Sequence, residues 1–271
     1  MIWSPRLDES ARRYLGAEDL EYYEAIPPEE RQRQLAALLE RPIETFSPVN
    51  EAYFRARWAD TLRLLHPGAD LSLMEVATGD ADMIPQAMAR SHPGSRYVTA
   101  NMNRQLNGSL LARTKGLDIR LELVDDDAAR ISEHCAPASF DVVAFQHGIN
   151  DVLQAILCAR EGVDTVYPDW MAVLPQMISM LQRETAAGTF EASVKAPFLK
   201  LMRTLSDMLK PGGTIVANHY MFRLDLDWGY PPALFEGLAP LVRGWCAELT
   251  GLKEVRYPGY EENWWLFLRK R

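Results

Sequence analysis

The sequence predicts an α/β fold, an open sheet with helices on both faces, and three observations support this prediction. Five short apolar runs alternate with longer helical segments between residues 70 and 220. The first run ends in a turn of small residues that leads into a helix. The last run follows a Leu-Lys-Pro-Gly-Gly sequence, which is typical of the end of a helix before a strand.

The first apolar run and its turn carry the strongest functional pattern. Residues 71–76 are apolar except for Glu75 near the end of the predicted strand, and a helix is predicted from about Met83 to Arg90. A strand, a tight turn and a helix bring backbone N–H groups and a helix N-terminus up to a ligand. Small residues at Ala77 and Gly79 would let that ligand approach the backbone. The alternative is an ordinary tight turn between a strand and a helix.

Polar residues follow the next two predicted strands. Residues 96–101 end in Asn101, at the place where dinucleotide-binding folds hold ribose hydroxyls with an acidic residue. An amide can also accept and donate hydrogen bonds, so a ribose contact is expected here. Residues 119–124 are followed by Asp126 and Asp127, for which a solvated charge run that caps the next helix is the alternative interpretation.

The fourth and fifth predicted strands complete the series. Residues 140–145 run into the sequence Gln146-His147-Gly148-Ile149-Asn150-Asp151. Residues 209–220 hold the Leu-Lys-Pro-Gly-Gly turn, the last strand and His219. The ends of both strands therefore bring polar side chains to the edge of the sheet where open α/β sheets bind ligands.

In their order, these five units resemble the class I S-adenosylmethionine (AdoMet)-dependent methyltransferases, whose first motif is an acidic residue followed by alternating glycines. Glu75 matches the acidic position and Gly79 the middle glycine, whereas Ala77 and Ala81 replace the flanking glycines. The resemblance covers about residues 70–220. It implies a Rossmann-like, seven-stranded class I methyltransferase sheet with helices on both faces, closed by an antiparallel hairpin from residues 228–271.

The resemblance also implies which residues line an AdoMet site. An acidic residue after the third strand, Asp126 or Asp127, would meet the adenine amino group, and the small Ala128 would lie on the ring. No metal is expected. The full set of expected cofactor contacts is Glu75, Ala77, Gly79, Asn101, Asp126, Ala128, Gln146 and Tyr53.

Methyl transfer from a sulfonium is an in-line displacement, so much of the rate gain comes from positioning the two reactants. We expect Asn150 to position the nucleophile, because an amide binds an amino or carboxylate group without titrating. The available bases at the ends of predicted strands are His147, Asp151 and His219. For each histidine a structural role is the alternative.

Aromatic rings stabilise nearby cations such as a sulfonium. The candidate aromatic faces are Tyr167, Tyr220 and Trp170, and a place in the hydrophobic core is the alternative for each. The residues expected to take part in catalysis are therefore Asn150, His147 and Tyr167.

Two helical regions flank the predicted sheet. Residues 1–66 read as a helical cap or lid, with helices over residues 8–14, 17–25, from Pro27 onward and 50–65, and residues 67–271 as the AdoMet-binding domain. An oligomerisation element is the alternative for the first region. A helical insertion at about 152–207 is longer than a crossover needs and is expected to build a substrate pocket. Its methionine-rich face is expected to be core, and its members are Met171, Met177 and Met180.

Composition restricts the class of protein. At 271 residues, the chain can bury a sizeable core. A net charge of −8 argues against DNA or bulk RNA as a substrate, because phosphate backbones need a basic surface. No apolar run reaches the roughly 18 residues of a membrane span, and three distant cysteines suggest reduced thiols. We therefore expect a cytoplasmic monomer or homodimer that acts on a small molecule and binds neither nucleic acid nor membrane.

The expected function is methyl transfer from AdoMet to a small-molecule acceptor in secondary metabolism, with S-adenosylhomocysteine as the by-product. Two alternatives remain open. One is the chemistry of the azetidine-2-carboxylate synthases, which cyclise AdoMet itself and release methylthioadenosine. The other is a non-catalytic AdoMet-binding or scaffold protein.

Overall fold

A computed structural model describes residues 17–37, 42–44 and 47–271. The strands are β1 (Ser72–Val76), β2 (Ser95–Ala100), β3 (Ile119–Val124), β4 (Phe140–Gln146), β5 (Leu209–Asn218), β6 (Leu252–Glu254) and β7 (Trp265–Lys270). The helices are α1 (Ala17–Ala25), α2 (Pro28–Ala37), α3 (Pro48–Leu65), α4 (Met83–Ser91), α5 (Arg104–Arg113), α6 (Ile149–Glu161), α7 (Trp170–Ala186), α8 (Phe190–Met208), α9 (Arg223–Asp227) and α10 (Pro232–Cys246). A short 3₁₀ helix spans Ala128–Glu133.

The strands form one mixed sheet in the order β3-β2-β1-β4-β5-β7-β6. Strands β1 to β5 pair in parallel, and β7 is antiparallel to both β5 and β6. This is the class I methyltransferase sheet that the resemblance implies. The strand order reverses between β1 and β4, because β2 and β3 lie on one side of this point and β4 and β5 on the other. The crevice at this topological switch point is the expected place for a ligand.

Helices cover both faces of the sheet and enclose two hydrophobic cores. One face packs against α3 and α4, and its buried residues include Trp58, Leu62, Met88, Tyr97 and Val216. The other packs against α6, α7, α8 and α10, and its buried residues include Leu157, Met177, Phe198, Leu205 and Val242. Strands β1 and β4 are buried on both faces and therefore read as nearly continuous apolar runs.

Helix α3 spans one face of the sheet. Near its middle, the Arg55 guanidinium lies 3.3 Å from the carboxylate of Asp82, in the turn after β1. Just past its end, His66 lies 3.8 Å from Asp141 at the beginning of β4. Helix α3 shares a hydrophobic core with the sheet and therefore packs as one of the layers of the domain. The predicted domain boundary at residue 66 stays a prediction.

The N-terminal segment also reaches the edge of the sheet where β5 ends. Ile43 forms a parallel bridge with Phe222, its N–H donates to the Met221 carbonyl and its carbonyl accepts from Arg223. A bidentate ion pair between Arg223 and Glu44 adds to this contact. Residues 42–44 therefore border the carboxyl ends of the strands.

Several predicted boundaries differ from the structure. The Leu-Lys-Pro-Gly-Gly sequence belongs to β5 itself, where Gly212 takes a positive φ of +77° and the pairing with β4 shifts register. The sequence predicts the last helix from Pro240 to Leu249, but the helix begins at Pro232, because a proline fits the first helical turn, and it carries Pro240 in its interior. The sequence predicts a strand of the final hairpin over residues 255–257, and β6 lies just before them.

The methionine-rich face of the insertion is only partly core. Met177 and Met180 are buried as predicted, but Met171 lies in the first turn of α7 with 54% of its surface exposed, which corrects the prediction for that residue. The predicted helix at residues 8–14 lies outside the described residues. Within the part of the chain described here, no helix combines the length and apolar character of a membrane span.

Candidate functional site

Left-handed backbone conformations cluster at the switch point between β1 and β4. Ala77 has a φ of +55° and Gly79 of +59° in the turn after β1, and His147 has a φ of +55° directly after β4. For a residue with a Cβ this conformation costs roughly 1–2 kcal/mol. Such strain is typical of functional sites, where the surrounding structure holds an unfavourable backbone in place.

Gly148 closes the β4 turn onto the β1 turn. A Cβ at this position would lie 2.9 Å from the Val76 carbonyl oxygen and 3.2 Å from that of Ala77. Only glycine permits this approach, so Gly148 fixes the width of the crevice. Gly148 was not among the residues predicted from the sequence, although a glycine between a strand and a helix start is a signal that could have identified it.

Asn101 supports the turn after β1 and keeps one polar atom available. Its Nδ2 donates to the Gly79 carbonyl at 2.8 Å. Among the described residues, none donates to its Oδ1. An amide oxygen accepts hydrogen bonds, so it can take the place of a carboxylate toward a ligand hydroxyl.

The carboxyl group of Glu75 is buried at the base of the same turn. The Tyr97 hydroxyl donates to Glu75 Oε2 at 2.6 Å. Burial raises the pKa of Glu75 to about 8, although the bonds from Tyr97 and Thr78 act in the opposite direction. Since only 1% of Glu75 is exposed, its geometry supports a role beneath the turn, and direct contact with a cofactor stays a prediction.

The aspartates after β3 match the alternative interpretation. Asp126 pairs with His134 at 2.8 Å and Arg130 at 3.2 Å, and the His134 hydrogen bond holds its pKa below the usual range. Asp127 caps the 3₁₀ helix by accepting from the Ala129 N–H at 2.8 Å. Ala128 is buried in the core. These local contacts occupy both aspartates, and their contact with adenine stays a prediction.

A buried network connects α3 to the ends of β4 and β5. Gln146 Oε1 accepts hydrogen bonds from the Trp58 indole N–H and from Asn218 Nδ2, the latter at 2.8 Å. Asn218 Oδ1 in turn accepts from the His147 N–H at 2.9 Å. Gln146 therefore holds the strand ends together, and sequence reasoning did not identify Asn218 as its partner.

The hydrogen bond of His147 decides which of its nitrogens carries the proton. The Tyr220 backbone N–H donates to His147 Nδ1 at 3.2 Å, so the proton of the neutral ring is on Nε2. No described residue contacts this Nε2 through a hydrogen bond. Burial lowers the pKa of His147 to about 4. His147 is therefore suited to donate a hydrogen bond to a ligand, and its role as a base stays a prediction.

His219 is no better as a base. Its Nε2 lies 3.2 Å from the Phe235 carbonyl and therefore carries the proton, while its Nδ1 is buried and accepts no hydrogen bond within the described part of the chain. Burial and the neighbouring His147 hold the pKa of His219 well below its usual range. With 3% of its surface exposed, His219 is a core residue at the edge of the site.

Asn150 and Asp151 lie together in the first turn of α6. Asn150 Nδ2 donates to Asp151 Oδ1 at 3.0 Å, while the buried Asn150 Oδ1 has no partner among the described residues. Burial raises the pKa of Asp151 to about 7, and the charge of Asp225 adds to this effect. Of the three candidate bases, Asp151 is thus the one whose pKa suits proton transfer near neutral pH.

Tyr167 lies away from these groups. Its ring is 62% exposed and is covered by the Arg104 guanidinium at 4.8 Å from the ring centroid. Asn103 Nδ2 donates to the Thr165 carbonyl at 3.1 Å and so fixes this loop to the start of α5, beyond β2. No contact within the described residues joins Tyr167 to His147 or Asn150, so the structure gives no support for a catalytic Tyr167.

The other candidate aromatic residues are packed. Tyr220 is buried between Phe54 and Trp264, with ring centroids 4.6 and 4.4 Å away, and its hydroxyl has no partner in the described chain. Tyr53 is buried next to Phe54, and burial raises its pKa to about 12. Trp170 packs against the core on the opposite face. Among the described residues, no group of three or more His, Cys, Asp or Glu side chains could hold a metal ion.

No protein-family model matches the sequence, and no curated protein matches it either. Solved structures with a similar chain trace include three methyltransferases. A SAM-dependent methyltransferase from Aquifex aeolicus is 11% identical over 79% of this chain and 88% of its own, with a TM-score of 0.48. The CurJ carbon methyltransferase is 14% identical over 88% and 58%, with a TM-score of 0.48. An rRNA methylase from Streptococcus thermophilus is 14% identical over 79% and 95%, with a TM-score of 0.43. Similarity at this level assigns no substrate or reaction to this chain.

Proposed function

We propose that this chain binds AdoMet across the carboxyl ends of β1, β2 and β4 and transfers its methyl group to a small-molecule acceptor. The observation that carries the proposal is the strained crevice at the switch point. Ala77, Gly79 and His147 all hold left-handed backbone there, and Gly148 brings the two turns together. In open α/β sheets this crevice is where ligands bind.

The groups around the crevice suit the parts of AdoMet. The Oδ1 of Asn101 can accept a hydrogen bond from a ribose hydroxyl, since its Nδ2 already holds the Gly79 carbonyl. Bare backbone at Ala77 and Gly79 would face the methionine portion. The Nε2–H of His147 can donate to a carboxylate or to another acceptor of the ligand.

The transfer itself depends on geometry. The acceptor atom must approach the methyl carbon in line with the carbon–sulfur bond, and holding two reactants in such a position can contribute about 7–11 kcal/mol. Asn150 and Asp151 follow the β4 turn directly and are the polar groups we assign to the acceptor. In this assignment Asn150 orients the nucleophile, and Asp151 takes its proton if it arrives protonated.

Two further observations support a small-molecule substrate. The net charge of −8 makes a nucleic-acid substrate unfavourable, because that substrate needs a basic surface. Arg55 of α3 contacts Asp82 in the turn after β1, and Ile43 contacts Phe222 beyond the end of β5, which supports a cover over a small ligand.

A location in the cytoplasm is part of the same proposal. It is supported by the three cysteines, which are free thiols, as in a protein of the reducing cytoplasm.

Calorimetry and mass spectrometry test this function. The purified chain is expected to bind both AdoMet and S-adenosylhomocysteine, and incubation with AdoMet plus candidate acceptors is expected to yield S-adenosylhomocysteine. Methylthioadenosine formed from AdoMet alone would instead indicate cyclisation or alkyl transfer. Tight binding without any product would indicate an AdoMet-binding protein, and absence of binding would reject the proposal.

A further inference from the structure

Two carboxylates and an amide lie near one another beyond the ends of β4 and β5, outside the cofactor crevice. Asn150 and Asp151 come from the first turn of α6, and Asp225 comes from the short α9. We call these three residues the carboxylate cluster. The charge of Asp225 contributes to the raised pKa of Asp151, so the two carboxyl groups lie near each other.

Tyr230 connects the two sides of the cluster. Its hydroxyl donates to Gln154 Oε1 at 3.1 Å, and Gln154 Nε2 donates to the Asn150 carbonyl at 3.2 Å. Its backbone N–H donates to the Asp225 carbonyl at 3.0 Å. The start of α6 and the α9 segment are thereby held at a fixed separation.

The cluster adjoins the residues at the end of β4. Asp225 Oδ2 accepts from the Phe222 N–H at 2.9 Å, and the Phe222 ring meets the His147 ring edge-on with centroids 5.2 Å apart. On the other side, Asn150 follows Gly148 by two positions. A ligand held by the carboxylate cluster would thus lie next to a ligand in the crevice.

The free polar atoms of the cluster all accept hydrogen bonds. Asn150 Oδ1 is buried without a partner in the described chain, and the residue itself is only 7% exposed. Neither Asp151 nor Asp225 pairs with a Lys or Arg side chain among the described residues. Asp225 is buried and Asp151 is partly buried, and carboxylates removed from water are costly unless they are protonated or paired with a cation. A group with several N–H donors and a positive charge would complement these acceptors.

We propose that the carboxylate cluster binds the amino group of an aliphatic amine and presents it to AdoMet as the nucleophile. This inference rests on the proposed function and names its substrate class. Two sources share the chemistry: a separate amine acceptor, or the amino group of the cofactor itself. The uncharged Asn150 Oδ1 orients the nitrogen, while the carboxylates select the ammonium form.

The step balances without any further reactant. The ammonium gives one proton to the Asp151 carboxylate, and the freed lone pair forms a bond to the carbon attached to the sulfonium. The carbon–sulfur bond breaks, and its electron pair stays on sulfur as a neutral thioether. The raised pKa of Asp151, with Asp225 and Tyr230 as the titratable neighbours that face it, suits a group that takes a proton near neutral pH.

Matched variants test the inference by titration calorimetry. Asp151→Asn and Asp225→Asn remove a charge from the cluster, and Asp227→Asn removes one from the exposed part of the same helix as a control. The probes are S-adenosylhomocysteine, methylthioadenosine, which lacks the amino-acid portion, and n-propylamine with 1-propanol as its uncharged counterpart. Wild-type binding of S-adenosylhomocysteine tests the proposed function separately.

Two results would support the inference, and they distinguish the sources. If the amine is a separate acceptor, both cluster variants lower the affinity for n-propylamine by at least tenfold and leave the affinities for 1-propanol and S-adenosylhomocysteine unchanged. If the amine belongs to the cofactor, both variants lower the affinity for S-adenosylhomocysteine by at least tenfold and leave the affinity for methylthioadenosine unchanged. Affinities that match those of Asp227→Asn for every probe, or an equal loss for methylthioadenosine, would overturn the inference and leave AdoMet binding intact as a proposal.

Discussion

The imidazole rings of His147 and His219 stack face to face, with centroids 4.9 Å apart and planes within 3° of parallel. His219 is buried and His147 is partly buried, and removal of the rings from water is the main cause that lowers both pKa values, that of His147 to about 4. A proton on either ring would face a neighbouring ring with no counter-charge. Both histidines are therefore neutral in the folded protein near neutral pH.

This stack predicts a loss of stability in acid. Below about pH 6.5 histidines of the unfolded chain bind protons that the folded rings do not, so the free energy of unfolding falls as the pH falls toward 4. His219→Phe keeps an aromatic ring but removes one such group. Between pH 6.5 and 5, the free energy of unfolding should therefore fall less for this variant than for the wild type, by up to about 1.4 kcal/mol per pH unit. Urea unfolding at several pH values measures this, and equal slopes would contradict it.

The raised pKa of Glu75 predicts the opposite dependence of stability on pH. Its pKa is raised to about 8 in the folded protein, from an ordinary value of 4.5, so the folded state keeps a proton that the unfolded chain has lost. Stability should fall as the pH rises from 4.5 to 8. Glu75→Gln preserves shape and the acceptor for Tyr97 while removing the titration. The difference in unfolding free energy between the variant and the wild type should grow in favour of the variant over this window; a constant difference would refute the assignment.

Gly79→Val should abolish AdoMet binding. The residue has a φ of +59°, and a Cβ added there would find Leu106 Cδ1, at 3.7 Å, as its nearest neighbour in the protein. The new side chain would therefore project where we place the cofactor. Gly94→Val is the matched control: its φ is +71°, it has open space, and it lies at the opposite end of the sheet, before β2. Both variants should lose a similar amount of stability, at least about 1–2 kcal/mol. Only Gly79→Val should lose affinity in calorimetry by more than tenfold.

Asn150→Ala should reduce turnover more than binding. Its amide orients the nucleophile, so AdoMet affinity should stay within about threefold while the rate falls at least roughly tenfold, or about 1.4 kcal/mol. In a methyltransferase the defect appears only with the acceptor present; in a cyclising enzyme it appears as slower release of methylthioadenosine from AdoMet alone. Wild-type turnover would remove Asn150 from the site and direct attention to His147.

Residues 47–58 should exchange their amide hydrogens more slowly when AdoMet binds. This segment contacts the turn after β1 through Arg55 and Asp82, and the end of β4 through Trp58 and Gln146. A ligand that orders those two turns therefore also stabilises the first half of α3. Hydrogen exchange with and without AdoMet measures the effect. Slowing confined to residues 70–130 would show that this segment is not part of a cover.

Local sequence determined the strands and the crevice. The apolar run that ends at Glu75 and the small residues Ala77 and Gly79 specify a strand and a left-handed turn from neighbouring residues alone, because chain geometry and turn chemistry are short-range. The order of strand–turn–helix units then indicated the sheet. Even the polar positions at strand ends, such as Asn101 and Gln146, follow from strand length.

Only the tertiary structure decided what those polar residues do. The proton position on His147 depends on the Tyr220 N–H, and the electrostatics of Asp151 depend on Asp225, a residue from another part of the chain. The same packing exposes Tyr167 and brings Trp58 to Gln146. Hydrogen bonds and desolvation act between atoms that are close in space, and sequence spacing does not encode which distant residues will meet.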